Sequence, residues 1–248
     1  NRPKSLNALN SETLAELDAC FSEISERKDI KVVILTGGPD KKDNAFKSFV
    51  AGADIAEMVN FTAPEARAFG IRASVPFFKL MNMRQVTIAA VNGFALGGGC
   101  EISMACDIRI ASDNASFAQP ETGLGIIPGF GGTQRLARII APGLAKEIIY
   151  STKNIDAAKA KEVGLVNEVY TQDELLPAAE KLANKIAKNA PIAVRACKKA
   201  INEGLDLPMD EAIVVEEKLF GSCFKTHDQI EGMDAFLTKR KEKNFINA

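Results

Sequence analysis

The sequence has 248 residues, with 31 Lys and Arg against 32 Asp and Glu and a formal net charge of -1. A charge this small gives no long-range attraction for polyanions, so nucleic acid and anionic membranes are not favoured as partners. Hydrophobic residues make up 46% of the chain. That share predicts a globular core, either of one large domain or of one domain with an appended subdomain.

The five cysteines lie far apart and mostly among apolar residues. Their odd number and the lack of a CxxC pair argue against a disulfide framework and against a zinc site. We therefore predict reduced, buried thiols and a cytoplasmic protein. The sequence shows no apolar run long enough to span a bilayer and no signal peptide.

The first half of the chain alternates predicted helices with predicted buried strands. Asn10 or Ser11 caps a helix whose apolar residues recur at spacings of three and four. Later elements follow from apolar runs that end at Gly, Pro or Asn. In chain order these are a strand at 31–36, an exposed polar loop at 40–47, a helix at 62–83, a strand at 86–91, a short helix at 100–105 and strands at 108–111 and 115–118.

The second half is predicted to be helical. Gly164 and Gly204 stand at positions where helices end. The predicted helices cover 132–140, 142–150, 156–163, 173–189, 191–203, 209–221 and 227–243. Strands that alternate with helices and then give way to helices alone favour an α/β core with a helical tail. We place the change near Asn189, which predicts a core at 1–189 and a helical region at 190–248.

Three glycine-rich segments stand out, at 51–54, 95–101 and 123–132. Glycine lets a backbone approach a ligand closely and adopt positive φ. Because Gly97–Gly99 precede a predicted helix, free N–H groups there can stabilise a developing negative charge. Tight turns that only permit close packing explain any one segment equally well. None of the three matches a dinucleotide fingerprint or a phosphate-binding P-loop.

Two glutamates, Glu101 and Glu121, lie in this glycine-rich setting among mainly small or apolar residues. A carboxyl group in a dry pocket has a raised pKa and exchanges protons near neutral pH. Two such groups can divide acid and base roles. The alternative is that each is an ordinary solvated glutamate, one in a first helical turn and one in a loop.

Other polar residues have simpler explanations. The single histidine, His227, stands at a predicted helix start, where a capping or surface role is favoured over a catalytic triad. Lys181, Lys185 and Lys188 lie along one predicted helix. A solvated face explains them, and an RNA-contacting row is the alternative.

Taken together, the motifs resemble the enoyl-CoA hydratase (crotonase) family. They occur in the family's order, at nearly its spacing, and cover essentially the whole chain. Bacterial short-chain enoyl-CoA hydratases and 3-hydroxybutyryl-CoA dehydratases are the members that this sequence resembles most. The matching segments are 1–4, 49–55, 89–101, 106–109, 119–136 and the tail from Phe220 through 235–240.

The resemblance implies a spiral of ββα units, a C-terminal helical trimerisation region and a hexamer built as a dimer of trimers. It implies an oxyanion hole formed by the N–H groups of Ala53 and Gly98, which hold the thioester oxygen of an acyl-CoA. Phe236 and Lys239 are expected to reach CoA bound to a neighbouring subunit. The full implied set of substrate and CoA contacts is Lys4, Leu6, Ala53, Asp54, Ile55, Ala56, Gly98, Gly129, Phe220, Phe236 and Lys239.

The implied reaction is reversible hydration of a short-chain trans-2-enoyl-CoA to a 3-hydroxyacyl-CoA. Glu101 would activate and orient water, and Glu121 would deliver the α-proton, with Gln119 and Gly129 as water-positioning groups. No metal or redox cofactor is expected, because CoA is part of the substrate. Two retained glutamates favour a hydratase over a 2-/3-enoyl-CoA isomerase. An RNA-binding relative with weak catalysis is the alternative from another class.

Several positions depart from the family pattern. The family's N-terminal strands before the Asn-Arg-Pro motif have no counterpart here, and the 40–47 loop is longer than usual. Arg84-Gln85 stands where Lys-Pro is common, and Ala118 and Thr122 replace commoner residues near Glu121. We expect these changes to tune access, water position or acyl specificity while the catalytic side chains remain.

Overall fold

A computed structural model describes residues 1–38 and 48–248, so the loop predicted at 40–47 lies outside the described residues. The chain divides into two compact units. The first comprises residues 1–27, 34–83 and 87–180, and the second comprises 28–33, 84–86 and 181–248.

Eight strands in the described chain form two four-stranded sheets. Their bounds are β1 Val32–Thr36, β2 Ser48–Val50, β3 Val86–Val91, β4 Phe94–Leu96, β5 Ile108–Ser112, β6 Ser116–Ala118, β7 Ile155–Asp156 and β8 Glu168–Tyr170. One sheet has the order β1-β3-β5-β8 and the other β2-β4-β6-β7. Strand β5 runs parallel to β3 and β8, β4 runs parallel to β2 and β6, and β7 is antiparallel to β6.

Eleven α-helices accompany the sheets in the part of the chain that is described. They are α1 Ser11–Glu26, α2 Ile55–Met58, α3 Ala63–Asn82, α4 Gly98–Ala105, α5 Gly132–Ile139, α6 Pro142–Ser151, α7 Ala157–Glu162, α8 Gln172–Ala187, α9 Pro191–Gly204, α10 Met209–Cys223 and α11 His227–Leu237. None of these helices combines the length and the apolar character that a membrane crossing requires.

Local chemistry sets where the first helices begin. The Asn10 side chain accepts a hydrogen bond of 2.9 Å from the Thr13 N–H, which caps α1 as predicted. At α3, Glu65 accepts a hydrogen bond of 2.7 Å from the Thr62 N–H, one half of a capping box. Both caps satisfy N–H groups that the helices themselves leave without partners.

An aromatic cluster ties the loop before α5 to α3. The Phe130 ring lies 5.7 Å from the ring of Phe69 and 5.6 Å from the ring of Phe77, measured between centroids. Both partners are on α3, and all three rings are buried. Tilted pairs of this kind stabilise a core by about 0.5–1.5 kcal/mol each beyond their area burial. The cluster therefore holds the backbone at residue 130 in a fixed position.

The second unit is helical, and one prediction within it is wrong. A helix was expected over 227–243, but α11 ends at Leu237. Lys239 adopts a positive φ of 56°, and the Arg240 N–H donates to the Ala235 carbonyl oxygen at 2.9 Å. This is a Schellman-type stop, which usually carries Gly rather than Lys at the left-handed position, so no residue here marks the end of the helix.

Other differences concern short elements and cysteines. The predictions omitted β2, α2, β4, β7 and β8, which are two to four residues long and too short to show a period. The prediction that all thiols are buried is wrong for Cys20 and Cys197, which are exposed on α1 and α9. The predicted fold class, α/β with helices at the C-terminal end, is confirmed.

Candidate active site

Three parallel strands bring the glycine-rich segments to one edge of the second sheet. In the register of this sheet Val50 pairs with Ala95, and Leu96 pairs with Ala118. Neighbouring parallel strands end at the same edge, and ligands of α/β sheets commonly bind there. The residues that follow β2, β4 and β6 include Ala53, Gly98 and Glu121, so the topology brings these predicted site residues together.

The backbone N–H of Ala53 points away from Leu9, the residue that is hydrogen-bonded to the segment around Ala53. Leu9 donates to the Gly52 carbonyl at 2.8 Å, and Asp54 donates to the Leu9 carbonyl at 2.8 Å, which makes a parallel bridge between Leu9 and Ala53. Successive N–H groups of an extended chain point to opposite sides. The Ala53 N–H therefore points away from Leu9.

Gly98 adjoins this amide at the first position of α4. A Cβ atom added to Gly98 would lie 3.5 Å from the Ala53 nitrogen and 3.2 Å from the Phe130 ring. The first N–H groups of a helix have no partner within the helix, and they carry the positive end of its dipole. The N–H groups of Ala53 and Gly98 thus form a pair of donors that suits an oxyanion.

Gly97 connects this donor pair to Glu121. Its φ is +49°, and a Cβ atom added to it would overlap Oε1 of Glu121. The Gly97 N–H donates to the Ala118 carbonyl at 2.9 Å, which fixes β4 against β6 just before Glu121. The glycine therefore makes room for a carboxyl group beside the donor pair.

Glu101 lies in the first turn of α4 and is 1% exposed. Its Oε1 atom accepts hydrogen bonds from the N–H of Phe130 at 2.8 Å and of Gly132 at 2.6 Å. Burial, reinforced by the charge of Glu121, raises the pKa of Glu101 to about 7, against the lowering effect of these two donors. The carboxyl group is thus held rigidly and is able to exchange a proton near neutral pH.

Glu121 begins a short 3-10 helix at Glu121–Leu124. Its Oε2 atom is buried and has no hydrogen-bond partner among the described residues. Burial raises the pKa of Glu121 as well. A buried carboxyl oxygen without a partner is costly, and a bound water or substrate proton would satisfy it.

Arg135 places a positive charge near Glu101. Its guanidinium lies 5.6 Å from the centroid of the Phe78 ring, and Nη1 is 3.3 Å from Sδ of Met81. Its Nε atom is buried and has no hydrogen-bond partner in the part of the chain that the structure describes. The pKa of Arg135 is lowered by burial and raised by Glu101, whose own pKa the arginine in turn lowers.

Gln119 is completely buried next to Gly132, in the loop whose N–H groups bind Glu101. A Cβ atom added to Gly132 would lie 2.7 Å from Oε1 of Gln119. Neither polar atom of the amide makes a hydrogen bond of ordinary geometry to the described residues. Burial raises the pKa of the neighbouring Cys100 thiol to about 12, against a lowering contribution from the Gln119 amide.

The other predicted contact residues lie around the site or in the second unit. Asp54 caps α2 by accepting a hydrogen bond from the Ala56 N–H at 3.2 Å. The remaining side chains and glycines of the predicted set are exposed: Lys4, Leu6, Ile55, Ala56 and Gly129 in the first unit, and Phe220, Phe236 and Lys239 in the second. Their predicted contacts with CoA stay predictions.

Two features of the candidate site carry no motif that predicts them from the sequence. One is the pair of backbone N–H groups of Phe130 and Gly132 that bind Glu101. The other is the half-buried charge of Arg135. The Gly-Phe-Gly-Gly run at 129–132 was the available signal, since a loop rich in glycine can turn successive N–H groups toward one anion.

A comparison with family models decides where this chain belongs. The model described as enoyl-CoA hydratase/isomerase matches residues 1–245. The chain belongs to the enoyl-CoA hydratase/isomerase family. The resemblance carried by the sequence motifs is therefore confirmed over nearly the whole chain.

Among enoyl-CoA hydratase relatives, the chain is similar to the short-chain-enoyl-CoA hydratase of Clostridium acetobutylicum. The two are 53% identical over 247 residues, which cover 100% of this chain and 92% of the relative. The crotonyl-CoA hydratase of Syntrophomonas wolfei is 51% identical with the same coverage.

The fold also matches solved members of the family. The crystal structure of enoyl-CoA hydratase from Bacillus anthracis superimposes with a TM-score of 0.94 and 40% sequence identity. The match covers 100% of this chain and 93% of that chain. The α/β crotonase fold predicted from the sequence is thereby confirmed.

Proposed function

We propose that the protein catalyses reversible hydration of short-chain trans-2-enoyl-CoA to 3-hydroxyacyl-CoA. The observation that carries the proposal is the meeting of two amide donors, from Ala53 and Gly98, with the buried carboxyl group of Glu101 and the half-buried one of Glu121, both of raised pKa. The names of its relatives in Clostridium acetobutylicum and Syntrophomonas wolfei support hydration of short enoyl chains.

In the proposed mechanism, the thioester oxygen accepts hydrogen bonds from Ala53 and Gly98. Polarisation of the carbonyl makes the β-carbon electrophilic and stabilises the negative charge that develops on the oxygen. One such donor is typically worth about 10²–10³ in rate. Because the donors are backbone groups in a fixed bridge and at a fixed helix start, they need little reorganisation during the reaction.

The two glutamates bind the water and transfer its protons. Glu101, ionised, orients water through the oxygen that its backbone donors leave free and removes a proton from it as the hydroxyl bonds to the β-carbon. Glu121, protonated, delivers its proton to the α-carbon. The cycle closes when the proton on Glu101 passes to Glu121. Their mutual repulsion favours a pair that holds a single proton, so the titration belongs to the pair. Dehydration follows the same steps in reverse.

Hydration can be measured directly with crotonyl-CoA. We expect its conjugated thioester absorbance to fall and a 3-hydroxybutyryl-CoA product to form with one oxygen from ¹⁸O-labelled water. A double-bond shift without label would identify an isomerase. Salt-dependent RNA binding without turnover would favour the RNA-binding alternative. A series of enoyl-CoA substrates from four to twelve carbons defines the chain-length range.

Substitution of either carboxyl group tests the assigned roles. Glu101→Gln and Glu121→Gln should each lower kcat by about 10²–10⁴, the usual contribution of general acid–base catalysis. Glu147→Gln, at an exposed ion pair of α6, is a matched control that should retain activity. Full activity in either site variant would contradict the mechanism.

We further propose a hexamer in which the C-terminal helical region, predicted at 190–248, provides trimer contacts. Support comes from α10, on which apolar side chains such as Ile213, Val214 and Phe220 are exposed. In such an assembly Phe236 and Lys239 would contact CoA on a neighbouring subunit. Sedimentation should give about six times the 26.7 kDa mass of one chain, and a monomer at micromolar concentration would contradict the proposal.

A further inference from the structure

The guanidinium of Arg2 connects two segments of the first unit beside the oxyanion donors. Its Nη1 donates to the Ala8 carbonyl at 2.6 Å, and its Nη2 donates to Oδ2 of Asp54 at 2.9 Å. Both side chains are largely buried, with 30% of Arg2 and 24% of Asp54 exposed. A rigid fork of this kind fixes the distance and the angle between the two groups that it binds.

The two anchor points of Arg2 flank the bridged pair of the site. Ala8 precedes Leu9, and Asp54 follows Ala53, while Leu9 and Ala53 form the parallel bridge. Because the bridge is parallel, these two anchor points lie on opposite sides of the bridged pair, and the guanidinium spans it. Nearer the start of both segments, Ala51 donates to the Leu6 carbonyl at 3.0 Å.

Arg2 is itself held in place by its surroundings. Its N–H donates to Oδ1 of Asn7 at 3.0 Å, and the Asn7 amide donates to the Ser48 carbonyl at 2.9 Å. Asn7 has a positive φ of 59°, which turns the chain back toward its start. These hydrogen bonds thus hold the segment from Arg2 to Leu9 against the residues that follow β2.

We infer that Arg2, paired with Asp54, is a positioning residue that orients the Ala53 amide toward the thioester oxygen. The inference rests on the proposed oxyanion hole. Asp54 would then act on the substrate through the backbone rather than as a direct contact. Because the amide must meet charge that develops during the reaction, a small rotation should affect kcat more than KM.

Three variants test this role. Arg2→Met removes the charge and both hydrogen bonds, Arg2→Lys keeps the charge without the fork, and Asp54→Asn weakens the acceptor. We expect Arg2→Met to lower kcat with crotonyl-CoA by about 10–100-fold, with a smaller change in KM. Arg2→Lys should recover part of the loss. Because the two residues act as a pair, Arg2→Met/Asp54→Asn should be little worse than Arg2→Met alone.

A spectroscopic measurement separates orientation of the amide from general stability. Bound cinnamoyl-CoA should show a red-shifted absorbance in the native protein, because hydrogen bonds to its carbonyl polarise the conjugated system. Arg2→Met should reduce this shift, whereas Glu121→Gln should retain it while losing turnover. Lys153→Met, which removes an exposed ion pair with Glu147 of 2.7 Å, is the control and should change neither quantity.

The outcomes distinguish this inference from the proposed function. Hydration by the native protein together with unchanged kcat and red shift in Arg2→Met would overturn the positioning role and leave the function standing. A red shift that Arg2→Met abolishes, without hydration by the native protein, would support the role and reject the function. If Arg2→Met fails to fold, Arg2→Lys and Asp54→Asn decide the matter by the same two readouts.

Discussion

Helices α4 and α10 show two opposite uses of a helix in this protein. All eight residues of α4 in the first unit are buried, including the carboxyl group of Glu101. None of the 15 residues of α10 in the second unit is buried, although several are large and apolar, among them Met209 and Phe220. Helix α4 thus buries a carboxyl group, whereas helix α10 exposes apolar surface.

This contrast indicates that the chemistry lies at α4 and that α10 provides a surface for assembly. A buried carboxyl group costs free energy, so the retention of Glu101 beside a second carboxyl group, with its pKa raised to about 7, points to a function. Single exposed apolar residues are common and mean little, but a helix without any buried residue indicates a surface that another chain can cover.

The strongest way to sharpen the comparison is to add one methyl group in each region. Gly98→Ala should lower kcat by about 10²–10³, because its Cβ would fill the space beside the Ala53 N–H. Gly221→Ala on α10 meets no atom within 4 Å. It should leave kcat unchanged and stabilise the fold by up to about 1 kcal/mol. Equal losses of activity in both variants would break the comparison.

Burial of Glu101 should also be visible in stability. Its folded pKa of about 7 lies above the ordinary value of 4.5, so the folded state keeps a proton that the unfolded state releases. Stability that depends on this group is therefore present below pH 4.5 and lost as pH rises to about 7. Glu101→Gln should be more stable than the native protein at pH 8, by on the order of 3 kcal/mol.

Urea unfolding at pH 4.5 and pH 8 measures this difference. The advantage of Glu101→Gln should be small at the lower pH and full at the higher one. Glu217→Gln on α10 is an exposed control that should change stability by less than about 0.5 kcal/mol. A destabilised Glu101→Gln at pH 8 would show that the ionised carboxylate stabilises the fold.

Aromatic pairs allow a smaller test of the same comparison. Phe130→Leu removes two ring contacts from the core and should cost about 1–3 kcal/mol. It should also lower kcat about tenfold, because the Phe130 N–H orients Glu101. Phe224→Leu, which breaks the more exposed pair with Phe220 on α10, should cost less than about 1 kcal/mol. The unfolding curves and the kcat values of both variants measure this difference between the two aromatic pairs.

The smallest expected effect concerns the positive charge of Arg135 near Glu101. Arg135 lowers the pKa of Glu101, so Arg135→Met should move the pH dependence of kcat/KM upward. Arg135→Lys keeps the charge and should leave the profile nearer its native position. A profile that is identical in all three proteins would show that Arg135 has only a structural role.

Much of the fold was accessible from the sequence because its long elements carry clear periods. The helices at Ser11–Glu26 and Ala63–Asn82 and the strand at Val86–Val91 were predicted nearly to their ends. The short strands β2, β4 and β8 were not, since three residues show no period and owe their conformation to pairing with distant strands. The pairing of β2 and β4 with β6 brings Ala53, Gly98 and Glu121 to one edge, which local patterns cannot reveal.

The candidate site was predicted through its motifs rather than through geometry. Glycine clusters and two glutamates suggested chemistry but left ordinary turns and solvated carboxylates as equal alternatives. The ordered resemblance removed that ambiguity. Neither route identified the N–H groups of Phe130 and Gly132, because backbone donors carry no side-chain signature, and the orientation of these donors depends on an aromatic cluster formed with α3.

A double-variant comparison of the two glutamates tests the central claim most directly. kcat for crotonyl-CoA hydration is measured in Glu101→Gln, in Glu121→Gln and in the double variant, with folding checked for each. If both carboxyl groups serve one water molecule and one proton, the double variant should lose little more than the worse single variant. Losses that simply multiply, or a single variant with native turnover, would contradict a shared site.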